Sequence, residues 1–271
     1  MQEKTSRNIE FLVFDSLAEE KHLAHAVSLW RQSAGKTFDF SSNDKETARR
    51  HRREFCEALD LDPNCLTVLR QVHGANVHII TADNELQTAP TADAVCTNLV
   101  NHPMMLFGAD CPLLILYDPE APAVGLAHAG WKPTGGRVTQ HLVETMVTHL
   151  GARARRIRAG IGPAICPKCY EIGPEVLAAV REKLADLEPE SLFRPAGREK
   201  QGDPQEGKGY FDLVEANVRQ LEAAGVPRAS IEISGICTYE SPQFPSDRRD
   251  GARAGRWGLL AGLIGKNRPE Q

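Results

Sequence analysis

The chain has 271 residues, enough for one large domain or two small ones, and a fold of that size needs no disulfide staples. Its 32 Lys and Arg stand against 36 Asp and Glu, a net charge of −4, which lacks the electrostatic footprint of a dedicated nucleic-acid binder. No apolar run approaches the ~18 residues of a membrane span. Met1 to Arg7 has no secretory apolar core, and seven cysteines without regular spacing argue against a disulfide framework, so a cytoplasmic location is expected.

Taken in chain order, Ile9 to Phe14 reads as a strand. A polar stretch from Thr37 follows, and Lys45 to Leu59 reads as a helix with Ala48, Phe55 and Leu59 near one face. Leu66 to Val72 and Asn76 to Thr81 are β-rich runs separated by His73-Gly74-Ala75. Pro103 to Phe107, Leu113 to Tyr117 and Val124 to Ala127 are short apolar runs bounded by turn residues. Cys111 therefore opens one strand and His128 closes the next.

Gly135-Gly136 reads as a turn before a helix from Arg137 to Leu150, whose stripe is Val138, Leu142, Met146 and Leu150, stopped by Gly151. Arg158 to Ile161 reads as a strand and Pro174 to Leu184 as a helix. Pro195 to Gly209, rich in Gly, Pro, Gln and charge, reads as a surface loop. Asp212 with Glu215 has the spacing of an N-cap and its carboxylate, opening a helix to Ala224. Ile231 to Ile236 is a further expected strand and Arg256 to Ile264 an expected final helix. Strands crowd before His128 and mix with helices after it, which favours an α+β fold with mixed sheets, read as one domain over 1–271. No strand is followed by a dinucleotide or phosphate-loop glycine signature.

Three segments each place one soft ligand among small residues: Gln71-Val72-His73-Gly74, Ala109-Asp110-Cys111-Pro112 and Ala127-His128-Ala129-Gly130-Trp131. Two imidazoles and one thiolate would give a divalent metal three protein ligands and leave a fourth position open, as catalytic zinc requires. The ordinary alternatives are a structural His at a strand connection and a buried Cys behaving as a small hydrophobe. A Cys-His hydrolase with Cys111 as nucleophile and His73 or His128 as base uses the same three residues. No Gly-x-Ser-x-Gly elbow supports a serine hydrolase.

Cys166-Pro167-Lys168-Cys169 competes for metal, but a zinc ribbon needs a second such pair, and Cys56, Cys65, Cys96 and Cys237 are isolated in sequence; the pair reads as structural. Near the C-terminus, Arg248 and Arg249 between Asp247 and Asp250 fit either a bidentate anion clamp or a salt-bridged turn.

Together, the His73, Cys111 and His128 segments with Gly160-Ile161-Gly162-Pro163, Cys169-Tyr170-Glu171 and Arg248-Arg249-Asp250-Gly251 resemble the bacterial YfiH family, also called laccase-domain or polyphenol oxidase proteins and described as purine nucleoside phosphorylases. The motifs fall in family order from about residue 66 to about residue 260. The resemblance implies a four-layer α/β/β/α sandwich and zinc on His73, Cys111 and His128, with copper as the other metal of the family's ascribed chemistry. It implies phosphorolysis of adenosine, inosine and methylthioadenosine, and deamination of adenosine; the alternatives are a copper-dependent polyphenol oxidase and the Cys111 hydrolase. Expected partners are a purine nucleoside and phosphate, with no nucleic acid and no membrane, in a monomer or homodimer. The chain departs from the family pattern at Leu29 to Gly35, where only Arg31 fits, at Cys166, where the family tends to have Gly, and at Asp247, where an aromatic is common.

For the chemistry, Arg31, Arg248 and Arg249 are candidate anion-site residues. Asp110 is the nearest carboxylate in sequence to a ligand, although adjacent strand residues point to opposite faces, which suits it to orienting rather than proton transfer. Nine scattered histidines without a His-x-His pair rank multicopper oxidation below nucleoside chemistry.

Overall fold

The computed structural model describes residues 1–33, 35–40, 44–82, 89–195 and 208–265, with the backbone alone at 195; most of the Pro195 to Gly209 stretch lies outside them. In chain order the strands are β1 (Gln2–Ser6), β2 (Ile9–Val13), β3 (Leu23–Ser28), β4 (Thr67–Val68), β5 (Val77–Ile79), β6 (Ala94–Thr97), β7 (Met104–Gly108), β8 (Leu113–Asp118), β9 (Ala123–His128) and β10 (Arg158–Ile161). After them come β11 (Glu171–Ile172), β12 (Phe193–Pro195), β13 (Gly209–Phe211), β14 (Ile231–Ile233) and β15 (Trp257–Leu263). The α-helices are α1 (Lys45–Ala58), α2 (Trp131–Gly135), α3 (Val138–Leu150), α4 (Pro174–Lys183), α5 (Leu213–Ala223) and α6 (Asp247–Asp250).

Two six-stranded sheets carry the architecture, in the orders β1-β2-β3-β15-β7-β4 and β14-β10-β8-β9-β6-β5. Each mixes antiparallel pairs with parallel ones: β4 with β7 in the first, and β10 with β14 and β5 with β6 in the second. Their inner faces share one core, in which Val27, Leu106 and Leu259 of the first sheet meet Ile115, Tyr117 and Leu126 of the second. The outer face of the first sheet is covered by α1 through Phe55 and Cys56, with Phe38 and Phe40 alongside. The outer face of the second is covered by α3 and α5. Helix, sheet, sheet and helix therefore stack as four layers, each apolar face finding a partner.

Local chemistry explains the covering helices. Asp44 caps α1 by accepting from the Glu46 N–H at 3.0 Å, and Asp212 caps α5 from Glu215 at 2.9 Å, as the sequence spacing implies. Gly151 ends α3 in the left-handed region at φ 72. Gly125 of β9 lets α3 sit close: a Cβ there would meet Leu142 Cδ1 and Met146 Sδ at 2.9 Å each. Thr139 joins α3 to Asn217 of α5 by a 2.6 Å hydrogen bond, and Asn217 continues to Thr134 of α2 at 2.9 Å.

One element is corrected. Arg256 to Ile264 is not a helix: Trp257–Leu263 is a strand inserted between β3 and β7, every residue buried. Trp257, Leu259, Ala261 and Leu263 face the shared core, whereas Leu260 joins the outer cluster. The positions flanking Leu260 are Gly258 and Gly262, and a Cβ on Gly258 would collide with Met105 Cε. Burial on both faces removes the polar alternation that marks a half-buried strand, leaving an apolar run that periodicity misreads. The expected strands at Leu66 to Val72 and Ile231 to Ile236 contract to β4 and β14, and their remainders become the loops that carry functional side chains.

Candidate metal centre

One edge of the second sheet gathers the ligand candidates. The register pairs Leu113 with His128 and Ala94 with Ala127, so the start of β8, the end of β9 and the start of β6 lie side by side. β5 runs parallel to β6, which brings its leading loop, with His73, to the same edge. Cys111 lies two residues before β8 and His128 ends β9, the placements expected from the sequence. The donor atoms of His73, Cys111 and His128 all lie within 4.8 Å of one another. The two imidazole rings meet edge to face at 4.8 Å between centroids.

Gly130 opens the space between them. A Cβ at that position would stand 2.7 Å from Cys111 Sγ and 3.4 Å from His73 Cδ2, so only glycine leaves room for both. His73 itself sits at φ 58, a left-handed turn that aims its ring back toward the sheet edge. Burial falls from His128, 3% exposed, through Cys111 to the exposed His73, which opens the cluster to solvent on the His73 side.

Asp93, a residue the sequence reading missed, organises this edge. It precedes β6 and is fully buried. Its carboxylate accepts from His128 Nδ1 at 2.8 Å and from the backbone N–H groups of Val72, His73 and Gly74 at 3.1, 3.0 and 2.7 Å. Burial alone would raise the Asp93 carboxyl, but the His128 bond and these N–H donors outweigh it and hold it below its ordinary value. With Nδ1 committed to Asp93, His128 presents Nε2 to the cluster. The signal was present in Ala92-Asp93-Ala94-Val95, a carboxylate heading an apolar run.

Electrostatics couple the thiol to the rings. Burial pushes the Cys111 thiol up, but the His128 charge and hydrogen bonds from His128 and His73 outweigh it and bring the thiol down to about 7. Burial pushes His128 down, and the Cys111 thiolate and Asp93 more than compensate, raising it to about 9. A thiolate facing an imidazolium is a site that a cation can enter by displacing a proton. Two imidazole nitrogens and one sulfur, close enough for tetrahedral donors roughly 3.5 Å apart around one ion, fit zinc or another borderline-soft divalent metal.

The remaining candidates divide. Asp110, at φ 81, turns away from the cluster: its carboxylate accepts from Thr238 Oγ1 at 2.6 Å and from the Arg248 backbone N–H at 2.7 Å. It thus ties the Cys111 loop to the C-terminal segment. Arg249 is exposed, but its guanidinium is held against the chain. Its guanidinium donates to the carbonyls of Thr238, Tyr239, Ser241 and Phe244 and to the Asp250 carboxylate, which commits its donors to the fold.

Arg248 is exposed, donates to the Glu171 carbonyl at 2.9 Å and lies 5.4 Å over the Tyr170 ring. Tyr170 is a second residue that sequence reasoning did not assign. Its phenol is pushed up, chiefly by burial and then by the Cys111 charge. Arg31 is exposed, and the Trp30 N–H donates to the Gln243 carbonyl at 3.0 Å, which brings Arg31 beside the loop leading into α6, the turn that carries Arg248. No helix among the described residues is long and apolar enough to cross a membrane.

Comparison with known proteins follows the same lines. The family model described as multi-copper polyphenol oxidoreductase laccase matches residues 33–265. A purine nucleoside phosphorylase from Deinococcus radiodurans is 37% identical over 230 residues, covering 85% of this chain and 83% of its own. An adenosine deaminase from an unknown prokaryotic organism is 33% identical over 226 residues, 80% of this chain and 82% of its own. Among solved structures, YlmD from Geobacillus stearothermophilus superposes with a TM-score of 0.79 at 28% identity, covering 98% of each chain. The hypothetical protein YfiH from Bacillus licheniformis superposes with a TM-score of 0.82 at 24% identity, over 96% of this chain and 98% of that one, and speaks to the fold. The chain belongs to the multi-copper polyphenol oxidoreductase laccase family, the YfiH family of the sequence resemblance.

Proposed function

We propose that this protein is a zinc-dependent purine nucleoside phosphorylase that also deaminates adenosine, with His73, Cys111 and His128 as its metal ligands and catalytic centre. The observation that carries the reading is the convergence of these donors from three separate segments, with His128 oriented by the buried Asp93. Relatives named purine nucleoside phosphorylase and adenosine deaminase, at 37% and 33% identity, give the reading its substrate class.

In phosphorolysis the glycosidic C1′–N bond breaks, a phosphate oxygen bonds to C1′, and the base leaves with the electron pair and takes a proton. A divalent cation on the three ligands supplies Lewis acidity to that exchange. The chain's own residues do the rest. Asp93 fixes the His128 tautomer and, through the N–H groups of residues 72 to 74, the position of His73. Arg248 is the candidate for phosphate, since it is exposed over the Tyr170 ring and its backbone is tied to Asp110, the neighbour of Cys111, and Arg31 is the second candidate. Tyr170 offers the purine a face to stack on. Arg249 supports this reading only as a brace, its donors being spent on carbonyls.

Deamination of adenosine at C6 would use the same cluster. Asp110 is poorly suited to move its proton, because both carboxylate oxygens already accept hydrogen bonds. The donor set also separates nucleoside chemistry from multicopper oxidation. The other group of potential ligands among the described residues is made of thiols, not the additional imidazoles that multicopper chemistry needs. Copper can enter a site built for zinc because its intrinsic affinity is higher, so copper uptake alone would not support an oxidase.

The test is incubation of protein purified without added copper with adenosine and phosphate, reading out inosine, free base and ribose 1-phosphate together, alongside metal analysis. Ribose 1-phosphate that disappears with Cys111→Ala, together with the metal bound at this centre, is the expected result. Retention of both turnover and metal by that variant would overturn the assignment, and turnover in wild-type protein stripped of metal would favour the Cys111 hydrolase chemistry.

A further inference from the structure

A second cluster lies outside the centre just described. Cys166, Cys169 and Cys237 bring their sulfurs within 4.8 Å of one another, although the last is separated from the first by 71 positions in the chain. Two short connections build it. Residues 166 to 169 form a tight turn, in which the N–H groups of Cys169 and Tyr170 donate to the Cys166 carbonyl at 2.9 and 3.0 Å. Cys237 arrives from the loop after β14, held by a parallel bridge between Ala164 and Cys237. Glu240 stands beside them, its Oε1 3.7 Å from Cys169 Sγ.

We infer that Cys166, Cys169 and Cys237 form a second metal site, which holds one zinc ion on three thiolates, with Glu240 beside Cys169 as the nearest carboxylate. Three observations carry this. The sulfur spacing encloses the roughly 3.8 Å separation that tetrahedral zinc with Zn–S bonds near 2.3 Å imposes. Backbone N–H groups point at the sulfurs, Cys166 N to Cys237 Sγ at 3.4 Å and Lys168 N to Cys166 Sγ, the donors that stabilise bound thiolates. Three soft sulfurs converge from two loops, the donor type that selects zinc over harder cations.

On binding, the three Sγ–H bonds give up their protons to solvent and three Zn–S bonds form, with no change of oxidation state. Three thiolates joining two loops away from the His73, Cys111 and His128 centre give this zinc a structural role. Its place in the fold gives it a consequence. Ile165 N donates to the Asp110 carbonyl at 2.9 Å, and Thr238, the neighbour of Cys237, donates to the Asp110 carboxylate at 2.6 Å. The zinc would clamp together the two loops that hold Asp110, and hence the turn that presents Cys111. The inference does not depend on the purine reading.

The experiment is metal analysis of the full chain purified with zinc and desalted. The wild type should carry about two equivalents, a Cys166→Ser/Cys169→Ser double variant about one, and a His73→Ala/Cys111→Ala double variant also about one, since the two clusters are separate. One equivalent in the wild type, lost from the His73/Cys111 variant and kept by the other, overturns the second site while leaving the first intact. Should the cysteine variant be insoluble, native alkylation of the wild type decides. With zinc, Cys166, Cys169 and Cys237 should resist iodoacetamide at least tenfold more than after chelation, while the exposed Cys65 labels equally in both states. Equal labelling of the three with and without chelator, or a disulfide among them in protein prepared without reductant, would overturn the inference.

Discussion

Asp93 Oδ1 lies 2.8 Å from His128 Nδ1, and the same carboxylate accepts the backbone N–H of His73 at 3.0 Å. One buried side chain therefore aims two of the three candidate ligands: one through its ring, the other through its backbone. Neither imidazole has to be ordered when a ligand arrives, because the ordering is built into the folded chain.

The first prediction concerns that carboxylate. Asp93→Asn keeps an oxygen for one backbone N–H but loses the charge that orients and polarises His128. Loss of such an orienting partner typically weakens metal affinity by about 10–100-fold. Competition with a chromophoric chelator should show a drop of that size. Asp93→Ala should also lower thermal stability, since three part-buried N–H groups lose their acceptor. Unchanged affinity in Asp93→Asn would mean that the carboxylate serves the fold alone.

A second prediction uses the smallest residue at the site. Gly130→Ala places a methyl group 2.7 Å from Cys111 Sγ, a distance that real Cβ contacts do not reach. The thiol must rotate away from His73 and His128. Overpacking of this kind costs about 1–3 kcal/mol, so the protein should still fold. Metal content and nucleoside turnover should fall together, and circular dichroism should be unchanged. A variant that bound metal at wild-type affinity would remove Cys111 from the ligand set.

Much of this centre was legible before the structure. His73, Cys111 and His128 could be picked out because each stands among small residues beside an apolar run, and the order of strands and helices pointed to an α+β fold with mixed sheets, the four layers coming from the family resemblance. What stayed hidden depended on pairing. Asp93 becomes meaningful only when β6 lies beside β9, and Cys237 appeared isolated until β14 brought its loop beside Cys166. Trp257–Leu263 was misread because a central strand buried on both faces carries no polar alternation, and its glycines mark close approach by Met105 and Leu61 rather than a helix face. Arg249 looked like an anion clamp because the carbonyls that consume its donors belong to backbone, which sequence pattern does not reveal.

A third prediction follows from titration of the metal-free centre. Burial raises the Cys111 thiol, but His128 and His73 bring it to about 7; burial lowers His128, but Cys111 and Asp93 raise it to about 9. Taken alone, the depressed thiol contributes stability that is full above its unfolded value of 9.0 and lost as pH falls through about 7. The raised imidazole contributes stability that is full below its unfolded value of 6.5 and lost as pH rises through about 9. Between about 7 and 9 the two slopes oppose each other, so the pair should leave thermal stability flat there. Metal binding should behave differently, because the ion must displace the His128 proton. Affinity should rise roughly tenfold per pH unit across that window and more steeply below it, where the thiol proton must leave too. Chelator competition from pH 6 to 9 on the Cys166→Ser/Cys169→Ser variant, which isolates this centre, measures both limbs; a pH-independent affinity would rule out the thiolate–imidazolium pair.

The last prediction separates the two neighbouring arginines. Arg249 donates to four carbonyls of the loop from Thr238 to Phe244 and pairs with Asp250, so Arg249→Ala should destabilise the fold by on the order of 2 kcal/mol as those acceptors lose their donor. Arg249→Lys should recover little, since one ammonium cannot reproduce a planar fork spread over several acceptors. Arg248 is exposed and makes its backbone contact with Asp110 through the main chain, which a side-chain substitution leaves in place. Arg248→Ala should therefore keep the melting temperature within a degree or two and raise the KM for phosphate about tenfold, the effect of removing one charge-assisted contact. Denaturation and phosphate-dependent kinetics on the two variants give opposite patterns if the assignment is right. A rise in phosphate KM confined to Arg249→Ala, with Arg248→Ala kinetically silent, would move the anion site to the arginine whose donors are already engaged and require the loop to open before phosphate binds.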